Sequence, residues 1–343
     1  MKSIFPGFGS SILPDFSWLI SIHVKLLLDL GQLDQSTGSI YLGQIAAHHF
    51  YTGVSLILAG SAQKPTLYQE SHLGPTTRLQ SIRLSSHAAL SIILATTSTL
   101  SFLTSHFLAA VPTYPFFVTD YPTSLASFVH HMWIGCILIV GSGSHASIHL
   151  LRDYYSSKQS LSKADYASLL ISQRETILGH LTWVSIFLGL HSFGLYIHND
   201  MLQALGRPED LFSDNAFQLK PIFANLFWEL RKGGNSVYIS VMDSRVATSW
   251  SELGTSDFLV HHIHAFTIHV TVLILVKGIL NSRSSRLVSD KFLLGFRYPC
   301  DGPGRGGTCQ ISPWDHIFLS LFWSYNAVSV ATFHYYWRMQ SDV

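Results

Sequence analysis

The chain has 343 residues, of which only 12% are charged (21 Lys and Arg, 20 Asp and Glu), against 48% hydrophobic residues and 19 histidines. That charge content is about half of the roughly 25% usual in soluble domains, so a soluble globular enzyme and a disordered chain are both excluded. The formal net charge of +1 offers no field to a polyanion, and nucleic acid is not an expected partner.

Six windows contain no Asp, Glu, Lys or Arg: 35–63, 84–119, 121–151, 176–199, 258–276 and 316–337. Each is at least 19 residues long, enough for the ~20-residue helix that crosses a ~30 Å hydrocarbon layer. In lipid a backbone must satisfy its own hydrogen bonds, and an α-helix does so within one segment. The expectation is an all-α, polytopic membrane helical bundle with six transmembrane helices, at about 43–62, 86–110, 127–150, 177–198, 258–278 and 315–337.

Residues 1–34 read as a non-spanning segment. The apolar run from Phe16 to Leu28 is short and interrupted by Lys25, as in an interfacial amphipathic helix. Pro6, Pro14 and Asp15 fall where the apolar region of a signal peptide would lie. Residues 35–343 read as one membrane domain, without repeats. Lys and Arg concentrate after the first, third and fifth windows (Lys64, Arg78, Arg83; Arg152, Lys158, Lys163, Arg174; Arg283, Arg286, Lys291, Arg297, Arg305), which places those loops on the cytoplasm-like side and both termini opposite.

Seventeen of the 19 histidines fall in the charge-free windows; His23 and His72 lie outside. An ionisable residue inside a membrane is costly and reads as functional, and neutral imidazole ligates a metal without bringing charge. His191 and His198, and His262 and His269, are seven apart, and His131 and His145 fourteen, so each pair shares a helix face. His130/His131 and His261/His262 point to neighbouring faces. A proton relay would include carboxylates, which the windows lack. A di-haem cytochrome would use two such pairs and leave most histidines idle. A tetrapyrrole array, with one axial imidazole per magnesium, fits best.

Between the last two windows, Cys300 and Cys309 bracket a run rich in Gly and Pro. It is not a phosphate loop, because Thr308 stands where the essential Lys would be, and the cysteine spacing matches no common zinc pattern. Two thiolates are half of the four that a cubane iron–sulfur cluster requires, with Arg297 and Arg305 to offset its negative charge. The remaining thiolates would come from another chain, because Cys136 lies mid-span.

Pro299-Cys300 through Thr308-Cys309 resembles the cluster loop of the two large core subunits of photosystem I. Gln310, Trp314-Asp315-His316, Asn326, His334 and Met339 to Val343 resemble the A-type subunit (PsaA), as do Asp257 to His269, His130 to Gly135, Gly194 to Asp200 and Ala204 to Asp214. The resemblance covers about residues 35 to 343 and matches the fourth to ninth of the family's eleven spans. It implies chlorophyll a on many histidines, and a 4Fe–4S cluster shared with a B-type core subunit and held here by Cys300 and Cys309 within an environment of Arg297, Asp301 and Arg305. Carotenoids, structural lipid and phylloquinone are implied in the complex, the quinone mostly on segments outside the match.

Magnesium ligands implied on the matching helices are His48, His49, His87, His106, His130, His131, His145, His180, His191, His198, His261, His262, His269, His316 and His334, with His72, His149 and His264 as further candidates. Asn326 would hold a chlorophyll through a water. Departures include Ala47 in place of a family histidine, Ser61 in place of another, and His149 where the family has an apolar residue.

The implied activity is that of a subunit, inactive alone, of the light-driven plastocyanin or cytochrome c:ferredoxin oxidoreductase. Implied partners are chains supplying the other A-type spans, an extrinsic two-cluster ferredoxin-like subunit, small photosystem I subunits, light-harvesting antenna proteins and thylakoid lipid. The chain would lie in the chloroplast thylakoid with loop 281–313 stromal and both termini lumenal, as the charge pattern also requires. Met1 and the poorly matched first 34 residues favour a separate gene. The alternatives are a chlorophyll-binding light-harvesting remnant without a working cluster and a haem-binding membrane oxidoreductase.

Overall fold

A computed structural model describes residues 46–58, 86–110, 120–154, 166–224, 226 and 253–341. The chain divides into two compact units, Met1–Arg78 and Leu79–Val343. The 35–343 stretch treated above as one membrane domain straddles that division, and each unit is taken by itself. The 1–34 segment and His72 lie outside the described residues.

In the first unit, helix α1 spans 46–58. The second holds α2 (Ser86–Ala110), α3 (Tyr121–Ile148, continued by a π-helical turn His149–Asp153), the short α4 (Tyr166–Ser172), α5 (Arg174–Ala204), α6 (Thr255–Leu280) and α7 (Pro313–Ser341). Among the described residues the only β feature is an isolated bridge between Phe212 and Phe217. Four helical stretches are long and apolar enough to cross a membrane: Ser86–Ala109, Tyr121–Asp153, Arg174–Ala204 and Thr255–Leu280. The expected six are therefore not all met among the described residues. At 29 residues α7 has the length, about 43 Å at 1.5 Å per residue, but its Trp, Tyr, His and Ser content dilutes its apolar character.

The helix ends have local causes. Gly206, at φ 68°, stops α5: its N–H and that of Arg207 turn back to the carbonyls of Gln203 and Leu202. Asp257 starts α6 by accepting the Gly254 N–H (2.9 Å). At α7, the Ser312 hydroxyl accepts the Asp315 N–H (3.1 Å) and donates to the Asp315 carboxylate (2.8 Å).

Within this unit α2 packs on α3, α3 on α7, α7 on α6 and α6 on α5. Lipid tails are as apolar as Leu, so helices in a bilayer associate through small residues and hydrogen bonds. The α2–α3 seam follows that rule: Ser91 and Ser142 each donate to the other's carbonyl (2.9 and 2.8 Å), Ser98 donates to Gly135 O (2.7 Å) and Ser101 to His131 O (2.7 Å). Glycines admit close neighbours elsewhere. A Cβ on Gly143 would meet Leu275 at 2.3 Å, and one on Gly278 would meet the Cβ of His316 at 2.5 Å. Among the described residues Phe128, Met132, Cys136 and Val328 form a buried apolar cluster, with Tyr335 stacked on Phe128 at 4.2 Å.

Candidate cofactor sites

The described histidines divide by what their ring nitrogens do. In eight of them (His106, His131, His180, His191, His261, His262, His269 and His316) Nδ1 lies 2.6–2.9 Å from the carbonyl oxygen four residues earlier in the chain. A carbonyl only accepts, so Nδ1 carries the proton and Nε2 keeps its lone pair. The same bond fixes the ring's direction, which is how metal-ligating histidines are commonly oriented. Each of these eight therefore presents an oriented imidazole with a bare Nε2.

Other histidines are engaged differently. His87 and His145 stack with centroids 5.3 Å apart and Nδ1 atoms 3.1 Å apart. One Nδ1 must donate to the other, so in the neutral pair one ring retains a bare Nε2. His198 is engaged through its other nitrogen: its Nε2 donates to Asp210 O (2.8 Å), so its lone pair is on Nδ1. Asn199 bonds Phe212 through both its amide groups beside it, so this face of α5 holds the loop after Gly206. His264 Nε2 and His334 Nδ1 are 2.8 Å apart, and His334 Nε2 lies 4.0 Å from the Asp257 carboxylate. That carboxylate favours the proton on His334 Nε2, which leaves His334 accepting from His264 and without a free Nε2.

His48 and His49 are exposed on α1, edge to face at 5.4 Å. His130 is exposed and stands edge-on to His131, and His149 Nδ1 lies 4.0 Å from Asp153. Asn326 is half-buried on α7.

The cysteine loop is built on backbone that favours glycine. Gly295, Gly302, Arg305, Gly306, Gly307 and Gln310 all have positive φ, between 55° and 103°. Thr308, buried, ties the loop across its middle: its hydroxyl accepts the Asp301 N–H (2.9 Å) and donates to the Gly302 carbonyl. Arg305 pairs with the Asp301 carboxylate, and Arg297 lies over the Trp314 ring at 4.9 Å. Cys300 and Cys309 are both exposed free thiols, and the Gly302 N–H approaches Cys300 Sγ at 3.5 Å. Two accessible thiols, one with a backbone donor to sulfur, fit half of a four-cysteine cluster site. Burial, with Asp301 and Asp315 nearby, pushes the Tyr298 hydroxyl up to about 12.

A family model described as photosystem I psaA/psaB protein matches residues 20–249 and 230–343. The chain belongs to the photosystem I psaA/psaB family. The photosystem I P700 chlorophyll a apoprotein A1 of Heterocapsa triquetra is 52% identical to it over 364 residues, that of Acaryochloris marina 45% over 376, and that of Cyanidioschyzon merolae 44% over 372. Each alignment covers 100% of this chain and 49% of the relative, so the chain spans about half the length of the curated relatives it matches.

Sequence reasoning for this psaA/psaB-family chain located the histidines and cysteines but missed the groups that set them. The Gly254-x-x-Asp257 start of α6 was a readable capping signal. Arg338, which reaches Asp257 at 3.1 Å from 81 residues away, had no local signal.

Proposed function

We propose that the chain is part of a photosystem I core A-type subunit in the thylakoid membrane, where it binds chlorophyll a and supplies Cys300 and Cys309 to a 4Fe–4S cluster shared with the B-type core. The observation that carries this reading is the set of eight intramembrane imidazoles whose Nδ1 is committed to the carbonyl four residues earlier. Any helix-borne histidine satisfies its Nδ1–H in this way, and an axial ligand gains in addition a fixed tautomer and a direction for Nε2. When bound, chlorophyll supplies light absorption and excitation transfer, and the cluster supplies one-electron storage on the way to a soluble ferredoxin.

The chain's own residues hold and tune. Neutral imidazoles ligate magnesium without adding charge in lipid. The Gly302 N–H donates toward the Cys300 sulfur, and such donors raise a cluster's potential. Arg297 and Arg305 offset negative charge at the loop. Carotenoids and lipid fill the exposed apolar faces of α2 and α5. The cysteine loop faces the stroma, where an extrinsic two-cluster subunit receives the electron; plastocyanin or cytochrome c serves the opposite side. Small subunits and antenna proteins complete the assembly.

The test is a Cys309→Ala variant, assayed in the purified complex for iron per chlorophyll and for the cluster's EPR signal. Loss of both with chlorophyll retained supports the reading. An unmutated complex with chlorophyll but no shared cluster makes the chain a light-harvesting remnant, and haem Soret and α bands in place of chlorophyll absorption sink the assignment altogether.

A further inference from the structure

The segment that leads from α6 to the cysteines is seated on the end of α3 by one side chain. α3 closes in the π-helical turn His149–Asp153, after which the Tyr154 N–H bonds the His149 carbonyl. In an α-helix that N–H would bond Leu150, four residues back, so the π register gives the Leu150 carbonyl to another donor. Arg283, just past the end of α6, supplies it: Nη1 donates to Leu150 O at 2.6 Å. Leu150 is 5% exposed, so water competes poorly for this bond. A guanidinium at a helix C-terminus also meets the negative end of the helix dipole. π turns of this kind occur often at functional sites.

The same guanidinium packs over two rings, 5.3 Å from the centroid of Tyr154 and 5.2 Å from that of Phe292. Tyr154 is itself held by α4, its hydroxyl 2.5 Å from that of Ser168. The Arg283 carbonyl accepts the Phe292 N–H at 2.8 Å, so Arg283 grips Phe292 through both main chain and side chain. The neighbouring Ser284 is tied to the start of α5, where Arg174 donates to its carbonyl at 2.9 Å. Beyond Phe292 the chain reverses at Gly295 and meets α7, where the Trp314 N–H bonds the Phe296 carbonyl at 3.1 Å. Cys300 follows. Its approach therefore has two ties, Arg283 to α3 and Phe296 to α7.

We propose that Arg283 is a positioning residue for the cysteine loop, fixing the approach to Cys300 on the π turn of α3. It acts through Phe292 and the main chain. Without it the approach keeps only the tie to α7, and the Cys300 sulfur is held by fewer constraints. What the loop holds rests on the cluster reading above; the tie itself does not.

The test uses the intact complex in which the chain resides, purified unmutated and with Arg283→Leu or Arg283→Lys. Hydrogen exchange of peptides covering 290–300 reads the tie. The cluster's EPR spectrum and its rate of iron loss under chelator read the consequence at the cysteines. Arg283→Leu is expected to exchange about tenfold faster across 290–300, as for loss of one charge-assisted hydrogen bond. Its EPR spectrum should broaden, with iron lost roughly fivefold faster. Arg283→Lys keeps a donor for Leu150 O and should recover most of the protection. A lowered thermal midpoint with unchanged exchange, EPR spectrum and iron loss would make Arg283 a structural residue only and overturn the proposal. Faster exchange in Arg283→Leu, with no cluster even in the unmutated complex, would support the tie and overturn the cluster reading instead. Should Arg283→Leu fail to assemble, Phe292→Leu, at an exposed position, removes one of the two ring contacts. It should speed exchange in the same peptides, and exchange equal to that of the unmutated complex would overturn the proposal.

Discussion

Thr308→Val tests whether the cysteine loop is prepared by this chain. The substitution keeps the volume and removes one hydroxyl that accepts the Asp301 N–H at 2.9 Å and donates to the Gly302 carbonyl. With Thr308 at 1% exposure, water does not readily replace it. Stranding a buried donor or acceptor costs about 1–3 kcal/mol, so two stranded groups cost about 2–4 kcal/mol once the loop relaxes. At ~1.4 kcal/mol per decade that is a roughly 30- to 700-fold shift toward an open loop. The Arg305–Asp301 pair does not compensate, since exposed ion pairs are worth about 0–1 kcal/mol. The assay is retention of iron and of the cluster's EPR amplitude during a chelator challenge of the purified complex. Thr308→Val should lose its cluster much faster than the unmutated complex, and Thr308→Ser, which keeps the hydroxyl, should not. Equal lability of all three would refute the idea that Thr308 holds the cysteines in place.

Gly278→Ala would put a Cβ 2.5 Å from the Cβ of His316; both atoms are tethered to helix backbone, so α6 and α7 must part at a cost of about 1–3 kcal/mol. Its thermal midpoint should fall, while Gly179→Ala, into open space, should leave it unchanged. His262→Leu should remove one chlorophyll per complex, whereas His198→Leu should keep the pigment count and expose the loop after Gly206 to protease; the reverse outcome defeats the tautomer argument. Asp257→Asn strips the charge from a pair in which Arg338 is 29% exposed, so the expected loss is about 2–3 kcal/mol, discounted from the roughly 3–5 kcal/mol of a fully buried pair, and is read as earlier thermal release of pigment. Lys291, lowered to about 8 from 10.5 by burial, binds fewer protons folded than unfolded between those values. Stability should therefore rise between about pH 8 and 10.5, and Lys291→Met should flatten that rise in a thermal-midpoint series.

The helices were legible because their signal is an absence: no charge over 19 residues or more. Their ends were less so. Arg152, Glu175 and Asp200 terminate charge-free windows yet lie inside α3's π-helical extension and α5, since charge limits immersion in lipid and does not limit helicity. Shared histidine faces followed from seven-residue spacing. Which nitrogen is free did not, because it depends on acceptors such as Asp210 O, set by the loop closing onto α5. In the cysteine loop the glycines predicted a turn, but the bond from Thr308 back to Asp301 closes across a segment in which Gly302, Arg305, Gly306 and Gly307 all take positive φ.

The packing explains why so few charges and so many imidazoles occur in one chain. Large apolar side chains such as Trp183 and Leu190 remain 64% and 69% exposed, while helix contacts are made by Ser91, Ser98, Ser142, Gly143 and Gly278. Hydroxyls that donate to a neighbour's carbonyl join helices without widening the gap between them, so bulky groups are left on the outward faces. On those same faces His106, His180, His191 and His261 are exposed with Nδ1 already bound. An imidazole that joins helices through both nitrogens has none left for a metal, as His334 illustrates between His264 and Asp257. Serine contacts between helices therefore leave imidazole available for ligation, and replacing Ser98 or Ser142 by Ala should weaken the α2–α3 seam without changing the number of ligating histidines.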